Sequence, residues 1–558
     1  MVLVNIKQMT DQREIYGVFG IKEISDTLYL MLIEECTLMG QVNNSNIFRI
    51  EKLLYIPISR SQSNQISRQA RPFIQMIDKI VAEKAFYFSY DMDLTKSIQQ
   101  NVKSFIKNTK QSDLEKLKSL YPNVIEYQHK YAFNDHLFNE IPSNDYAPFI
   151  VPCIYGFVYI KPVQLESTKL ILTLISRKDC RRPGRRFISR GIDENGNVSN
   201  YVETEHLITY YDQQKLRVAS FVQTRGSIPL IWSQKPTMKY SPAVKVNQNI
   251  DDSLKYARIH VNEQKDSFGD QVFVNLIDKK GTQLRIGQQF TRLIDNLGDQ
   301  QVDYTWFDFH HECRNMKYEN LAKLLNIIQD KVDNFGYFQA VLNFGFDKRD
   351  KIDQNSVTIM NTQRGAVRTN CMDCLDRTNV FQSVLSRQVL HKQIWKQESA
   401  ATNVLNIQPF EKFYPSLEDS FREAWTNNAD ALSILYSGTP ALKTDFTRTG
   451  KRTLKGALND GKNSVKRYYI NNFCLIFLRI FMKSYFPIED RNFKQMIFHG
   501  IVYLFSFFAD DVYKFKQAMV KDLLMSLQDN FDIKSDQMML LHWCEYEEKI
   551  DSQKKIEK

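Results

Sequence analysis

The sequence predicts an α/β or α+β protein of two packed units, on three observations. The chain opens on strand-like runs and then mixes strands with helical segments. Its 558 residues suffice for two or three domains, each with its own core. At 43% hydrophobic and 25% charged, with Gly 20 and Pro 15, the composition excludes disordered and fibrous classes.

In order, LYLMLI (28–33) and LLYIPI (53–58) read as strands within residues 1–60. Residues 101–119 are polar and Lys-rich and read as a solvated helix or loop. Strand-like runs return in FIVPCIYGFVYI (149–160), KLILTLIS (169–176) and LRVASFV (216–222). NLAKLLNIIQDKV (320–332) places apolar residues three and four apart and predicts an amphipathic helix. The boundary between units is set near 145.

The formal charge of +10 points to anionic partners: nucleic acid, phosphate esters or an acidic membrane face. Eight cysteines are spread thinly, and the start MVLVNIKQMTDQ has no basic region followed by an apolar core. Both predict a reducing, cytosol-facing compartment.

The informative stretch is RTNCMDCLDRTN (368–379). Five residues separate Cys371 from Arg377. A thiolate attacks phosphorus where a thiol does not. Five residues can curl so that their N–H groups surround a phosphate, and the arginine fork can grip two of its oxygens. Val380, Phe381, Val384, Leu385 and Val389 follow at helical spacing, with Asp376 or Thr378 as a candidate cap. The loop would then lie at a helix N-terminus, which favours phosphate and thiolate alike. The pattern points to a cysteine-dependent phosphatase.

A buried structural Cys beside a surface Arg is the plain alternative. Half a zinc site is a second, but no further C-x2-C or H-x3-H follows at finger spacing. A redox C-x-x-C is a third; Asp373 between the cysteines disfavours it. An alkoxide leaving group, if the substrate is an alkyl phosphate ester, needs a general acid. Asp373 is the first candidate and Asp376 the second, the alternative for either being an outward side chain that fixes the loop. His310, His311, Glu312 and Cys313 look metal-like, but adjacent residues diverge, so a structural or pocket-lining role is expected, with no metal and no cofactor. Residues 443–467 hold eight Lys/Arg against two Asp and suit anionic headgroups better than nucleic acid. Arg181, Arg182, Arg185, Arg186 and Arg190 form a second cluster, to hold phosphates or to pair with local acids.

The loop RTNCMDCLDRTN resembles the signature of the Sac-domain phosphoinositide phosphatase family. The resemblance extends to FYFSYDMDLTKS (86–97), RRPGRRFISRGIDENGNVSNYVETE (181–205), TRGSIPLIWSQ (224–234), FDFHHECRNM (307–316) and GTPALKTDFTRTGKRT (438–453). It covers about residues 10 to 473; Pro440 departs from the pattern, and so does the chain beyond Phe473. It implies a mostly β N-terminal subdomain (1–145), an α/β cysteine-phosphatase subdomain (146–473) and a C-terminal tail (474–558). It implies phosphatidylinositol monophosphates as substrates, the 4-phosphate foremost and then the 3-phosphate, with Asn370, Met372, Cys374, Leu375, Thr378, Lys443 and Arg448 in contact with them. A non-catalytic phosphoinositide-binding scaffold and a tyrosine-type phosphatase are the rival readings. An endoplasmic-reticulum or Golgi membrane surface is the expected location. The tail windows 473–486 and 496–508 are short and charge-interrupted, so peripheral association is favoured over a spanning hairpin.

Overall fold

β1 (Gly17–Ile24), β2 (Thr27–Val42) and β3 (Ser45–Ile58) form an antiparallel meander at one edge of a large sheet. Tyr29, Met31 and Ile33 alternate inward on β2, the two-residue period of a half-buried strand. Asn43 and Asn44 join β2 to β3 with φ of 50° and 67°, a backbone that asparagine tolerates and that suits a tight hairpin. The computed structural model describes residues 14–25, 27–58, 66–108, 127–138, 149–165, 168–212, 215–234, 242–342, 357–395, 414–442, 448 and 454–471. All lie within the unit Met1–Val502.

Next come α1 (Arg71–Val81), the short β4 (Phe86–Phe88) and α2 (Ile98–Asn108). α2 covers the first part of the Lys-rich stretch; residues 109–119 lie outside the described set. β5 (Ile154–Leu165), β6 (Thr168–Lys178), β7 (Val202–Asp212) and β8 (Lys215–Arg225) continue the antiparallel run. The run expected over 149–160 is strand only from Ile154; Pro152, which has no N–H to donate, precedes it. β9 (Trp232–Gln234) and β10 (Val244–Val246) make a separate two-stranded sheet.

Beyond β10 the chain changes character. α3 (Ile250–Phe268), β11 (Asp270–Asn275), α4 (Gly281–Leu297), β12 (Val302–Trp306), α5 (Leu321–Phe335), β13 (Phe338–Leu342), β14 (Val357–Asn361), β15 (Gly365–Asn370) and α6 (Asp376–Trp395) follow. α7 (Pro415–Ser437) and α8 (Leu454–Tyr469) complete the described helices. α3 starts where Asn249 caps the Asp251 N–H and stops at Gly269, φ 82°. α5 is the amphipathic helix expected over 320–332, and it buries Leu321, Leu324, Leu325, Ile328 and Val332.

One sheet of 13 strands joins both regions: eleven run in the order β1 to β8 and then β15, β11 and β12, and β13 with β14 branches from β8. β8 is the pivot. Its first half pairs antiparallel with β13, while Thr224 and Arg225 at its end pair parallel with Arg368 and Thr369 of β15. β15, β11 and β12 are mutually parallel. The carboxyl ends of β15 and β11 therefore open side by side, the usual place for a ligand in an α/β sheet.

Candidate active site

Residues 371–375 leave the end of β15 and run straight into α6. Phe381, Leu385, Val389 and Leu390 tie the helix into the main core, with Val380 and Val384 partly buried against it. Helix α6 begins at Asp376, so Asp376 stands in its first turn rather than capping it. The loop thus meets the positive end of a 20-residue helix.

Cys371 is buried, and its Sγ accepts the Cys374 N–H at 3.1 Å. Burial alone would push the thiol up. The Cys374 side chain, the Arg377 charge and the neighbouring Thr378 outweigh burial and hold it well below the usual thiol range. Cys374 goes the other way. Its backbone is left-handed, φ 54°, and its Sγ donates to the Gly226 carbonyl at 3.0 Å. Burial and the neighbouring Cys371 raise it far above the usual range, so it stays a thiol. Gly226 cannot carry a side chain: a Cβ there would lie 2.9 Å from Val198 and 3.3 Å from the Arg368 guanidinium.

Arg377 anchors Nη1 on the Leu276 carbonyl at 3.1 Å and Asp278 at 3.2 Å, just beyond the end of β11, and on Gln283 at 3.2 Å in the first turn of α4. Asp278 also meets His310 Nδ1 at 2.9 Å. Although buried, its carboxyl lies below the usual range because His310 and Arg377 both hold it. His311 turns instead to Glu312, and Cys313 is buried in the core. The four metal-like neighbours do not converge on one point: His310 faces Asp278, His311 and Glu312 pair with each other, and Cys313 enters the core.

The two loop carboxylates are treated differently. Asp373 pairs with Arg190 at 2.6 Å and Arg186 at 3.1 Å. Burial opposes its ionisation, but the two guanidiniums hold it far below the ordinary carboxylate range. Asp373, the first candidate acid, is thus engaged by two cations, whereas Asp376, the second, is held more loosely. Asp376 accepts the Leu442 N–H at 2.8 Å and lies 3.6 Å from Arg467, with a third of its side chain exposed. Arg190 does more than pair: it also donates to the Met372 carbonyl at 2.7 Å, while Asn200 donates to the Asp373 carbonyl at 3.0 Å. These bonds hold the loop from behind.

A cavity of about 230 Å³ opens over the loop. Cys371, Asp373, Leu375, Asp376 and Arg377 line it, as expected from sequence, together with Arg186, His310, Tyr318, Arg467 and Tyr468. Asn370 lies beneath, donating to Asn275 at 2.7 Å. Met372, Cys374 and Thr378 support the loop rather than line the cavity, and Arg448 donates to Asn427 outside it. Lys443, Lys451, Arg452 and both tail windows lie outside the described residues. Asp278 and Gln283 were not anticipated, because they meet the loop only through the parallel pairing of β11 with β15; Asn200 lies within the quoted run 181–205 but was not singled out. Each arginine of the 181–190 cluster has an acid partner: Arg181 with Asp179 and Glu263, Arg182 with Asp193, Arg185 with Glu83, Arg186 and Arg190 with Asp373. Among the described residues no helix is long and apolar enough to cross a membrane.

The fold and the loop define an α/β protein with a phosphate-sized, cation-walled cleft over an ionised cysteine. The chain belongs to the SacI homology domain family, whose model matches residues 16–314. It is 36% identical over 463 residues to the phosphatidylinositol-3-phosphatase SAC1 of Saccharomyces cerevisiae, covering 82% of this chain and 70% of that protein. The phosphatidylinositol-3-phosphatase SAC1 of Drosophila melanogaster is 34% identical over 473 residues, covering 84% and 74%. The phosphoinositide phosphatase SAC6 of Arabidopsis thaliana is 32% identical over 465 residues, covering 83% and 73%.

Proposed function

We propose that this chain is a phosphoinositide phosphatase that removes a ring phosphate from phosphatidylinositol monophosphates through a cysteinyl-phosphate. The observation that carries the reading is the buried Cys371, its thiol held well below the usual range, in the loop before α6 and lining the same cleft as Arg377. Relatives named as phosphoinositide phosphatases over most of the chain support the substrate class.

Cys371 Sγ attacks phosphorus, and the bond to the inositol oxygen breaks. Arg377 and the loop N–H groups stabilise charge on the transferring phosphoryl group. Asp376, exposed to the cleft, protonates the leaving oxygen; Asp373 stays an anion that orders Arg186 and Arg190. Water then attacks the cysteinyl-phosphate and releases inorganic phosphate. The protein chemistry here needs no metal. The 4-phosphate is the preferred target, with the 3-phosphate next, and exposed Lys462 beside Lys466 on α8 suits an anionic membrane surface.

Phosphate release from a panel of phosphatidylinositol monophosphates in mixed micelles tests this reading. Turnover of the 4-phosphate above the 3- and 5-phosphates, unaffected by chelator, is expected. Tight binding without release would leave a lipid-binding scaffold instead.

A further inference from the structure

Four arginines rank among the largest fully buried side chains: Arg177, Arg185, Arg225 and Arg368. A buried cation costs several kcal/mol unless an anion or hydrogen bonds compensate it. Arg177 meets Glu203 and Glu205, each at 2.9 Å, and Arg185 meets Glu83 at 2.8 Å. Arg225 and Arg368 meet no carboxylate among the described residues.

Their partners are neutral and incomplete. Arg225 reaches only Asn379 Oδ1, at 3.5 Å, and its Nε and Nη1 have no acceptor among the described residues. Arg368 donates to His260 Nε2 at 3.2 Å and the Ser227 carbonyl at 2.6 Å, lies over the Phe273 ring at 5.1 Å, and leaves Nη1 without an acceptor. His260 cannot help by charge, because burial and the adjacent Arg368 keep it neutral.

Register explains the placement. Arg225 pairs with Thr369 and Arg368 with Thr224, in parallel strands that end at the loop. Side chains alternate across a strand, so the two guanidiniums leave opposite faces of the sheet. Arg225 lies against the first turn of α6 and Arg368 against α3.

We propose that Arg225 and Arg368 are positioning residues whose uncompensated charges, one on each face of the sheet beneath the loop, keep Cys371 ionised and draw the substrate phosphate. The anions that compensate them are the thiolate and the bound phosphate. Burial lowers both guanidiniums to about 10, and the charge of Cys371 acts to raise Arg225. Both therefore stay cationic at neutral pH. The inference rests on Cys371 being the nucleophile.

The test is the pH dependence of Cys371 alkylation by iodoacetamide, read by peptide mass spectrometry, in the wild-type chain and in Arg225→Met, Arg368→Met and Arg225→Lys. Each Met variant should move the alkylation midpoint up by about one pH unit, a tenfold loss of thiolate below it. Arg225→Lys should stay near wild type. Melting temperatures of the Met variants should be unchanged or higher, since a charge without a counter-ion has been removed. An unmoved midpoint, a Lys variant that behaves like Met, or Met variants too unstable to purify would each overturn the proposal. Alkylation requires no lipid, so phosphate release from the same variants tells failure of this inference apart from failure of the phosphatase reading.

Discussion

Between β6 and β7 the sheet buries Arg177 against two glutamates, and further along, at β8 and β15, it buries Arg225 and Arg368 against no carboxylate among the described residues. The first cluster is closed. Arg177 also donates to the Leu94 and Lys96 carbonyls, Tyr131 donates to Glu203, and Glu205 accepts the Ile98 N–H at the start of α2. Charge there is used up in joining the segment 86–97 to the sheet. Around the catalytic loop, cations exceed the anions that reach them, and the excess is available to a thiolate and a phosphate. A buried charge thus serves structure where it is matched and chemistry where it is not.

Breaking each side of that contrast has effects of different size. Cys371→Ser removes the ionisable nucleophile and should lower phosphate release on the order of 10⁴-fold or more, with circular dichroism unchanged. Arg177→Met leaves two carboxylates buried in the closed cluster. It should cost about 3–5 kcal/mol in urea unfolding, unlike the Met variants at 225 and 368. Asp376→Asn should slow release from a phosphoinositide about 10²-fold but barely affect p-nitrophenyl phosphate, whose leaving group needs no proton. Equal losses on both substrates would remove Asp376 as the acid.

A smaller effect belongs to Asp430, whose carboxylate accepts the Ala441 N–H at 3.0 Å. Burial lifts it to about 6, above the unfolded value of roughly 3.9. A raised folded value means its stabilising contribution is full below about pH 4 and is lost as pH rises through 6. Asp430→Asn should therefore gain about 2 kcal/mol at pH 7.5 and nothing at pH 3.5, measured by urea midpoints at the two pH values. Cys374→Ser should have the least effect, within a few-fold in turnover, because a serine hydroxyl can still donate to the Gly226 carbonyl.

The strands at 28–33 and 53–58 and the helix at 320–332 were legible because each carries its own period: alternation in the strands, spacings of three and four in the helix. The loop was legible because Cys371, Asp373, Asp376 and Arg377 fall within a single stretch of seven residues. What could not be read was anything assembled across strands. Asp278, just beyond β11, and Gln283, in the first turn of α4, reach Arg377 from nearly a hundred residues earlier, and only the parallel pairing of β11 with β15 brings them there. The different surroundings of the two candidate acids were hidden for the same reason. Asp373 and Asp376 look alike in sequence, and Arg186 with Arg190 separates them only once the loop is folded against residues 181–190.

The most direct test of the central claim is to catch the intermediate. Wild-type protein mixed with a phosphatidylinositol monophosphate labelled in its ring phosphate, quenched in acid within milliseconds and digested, should yield a phosphoryl group on the peptide carrying Cys371, and none in Cys371→Ser. Label on any other residue, or turnover with label absent from protein at every quench time, would contradict nucleophilic attack by Cys371.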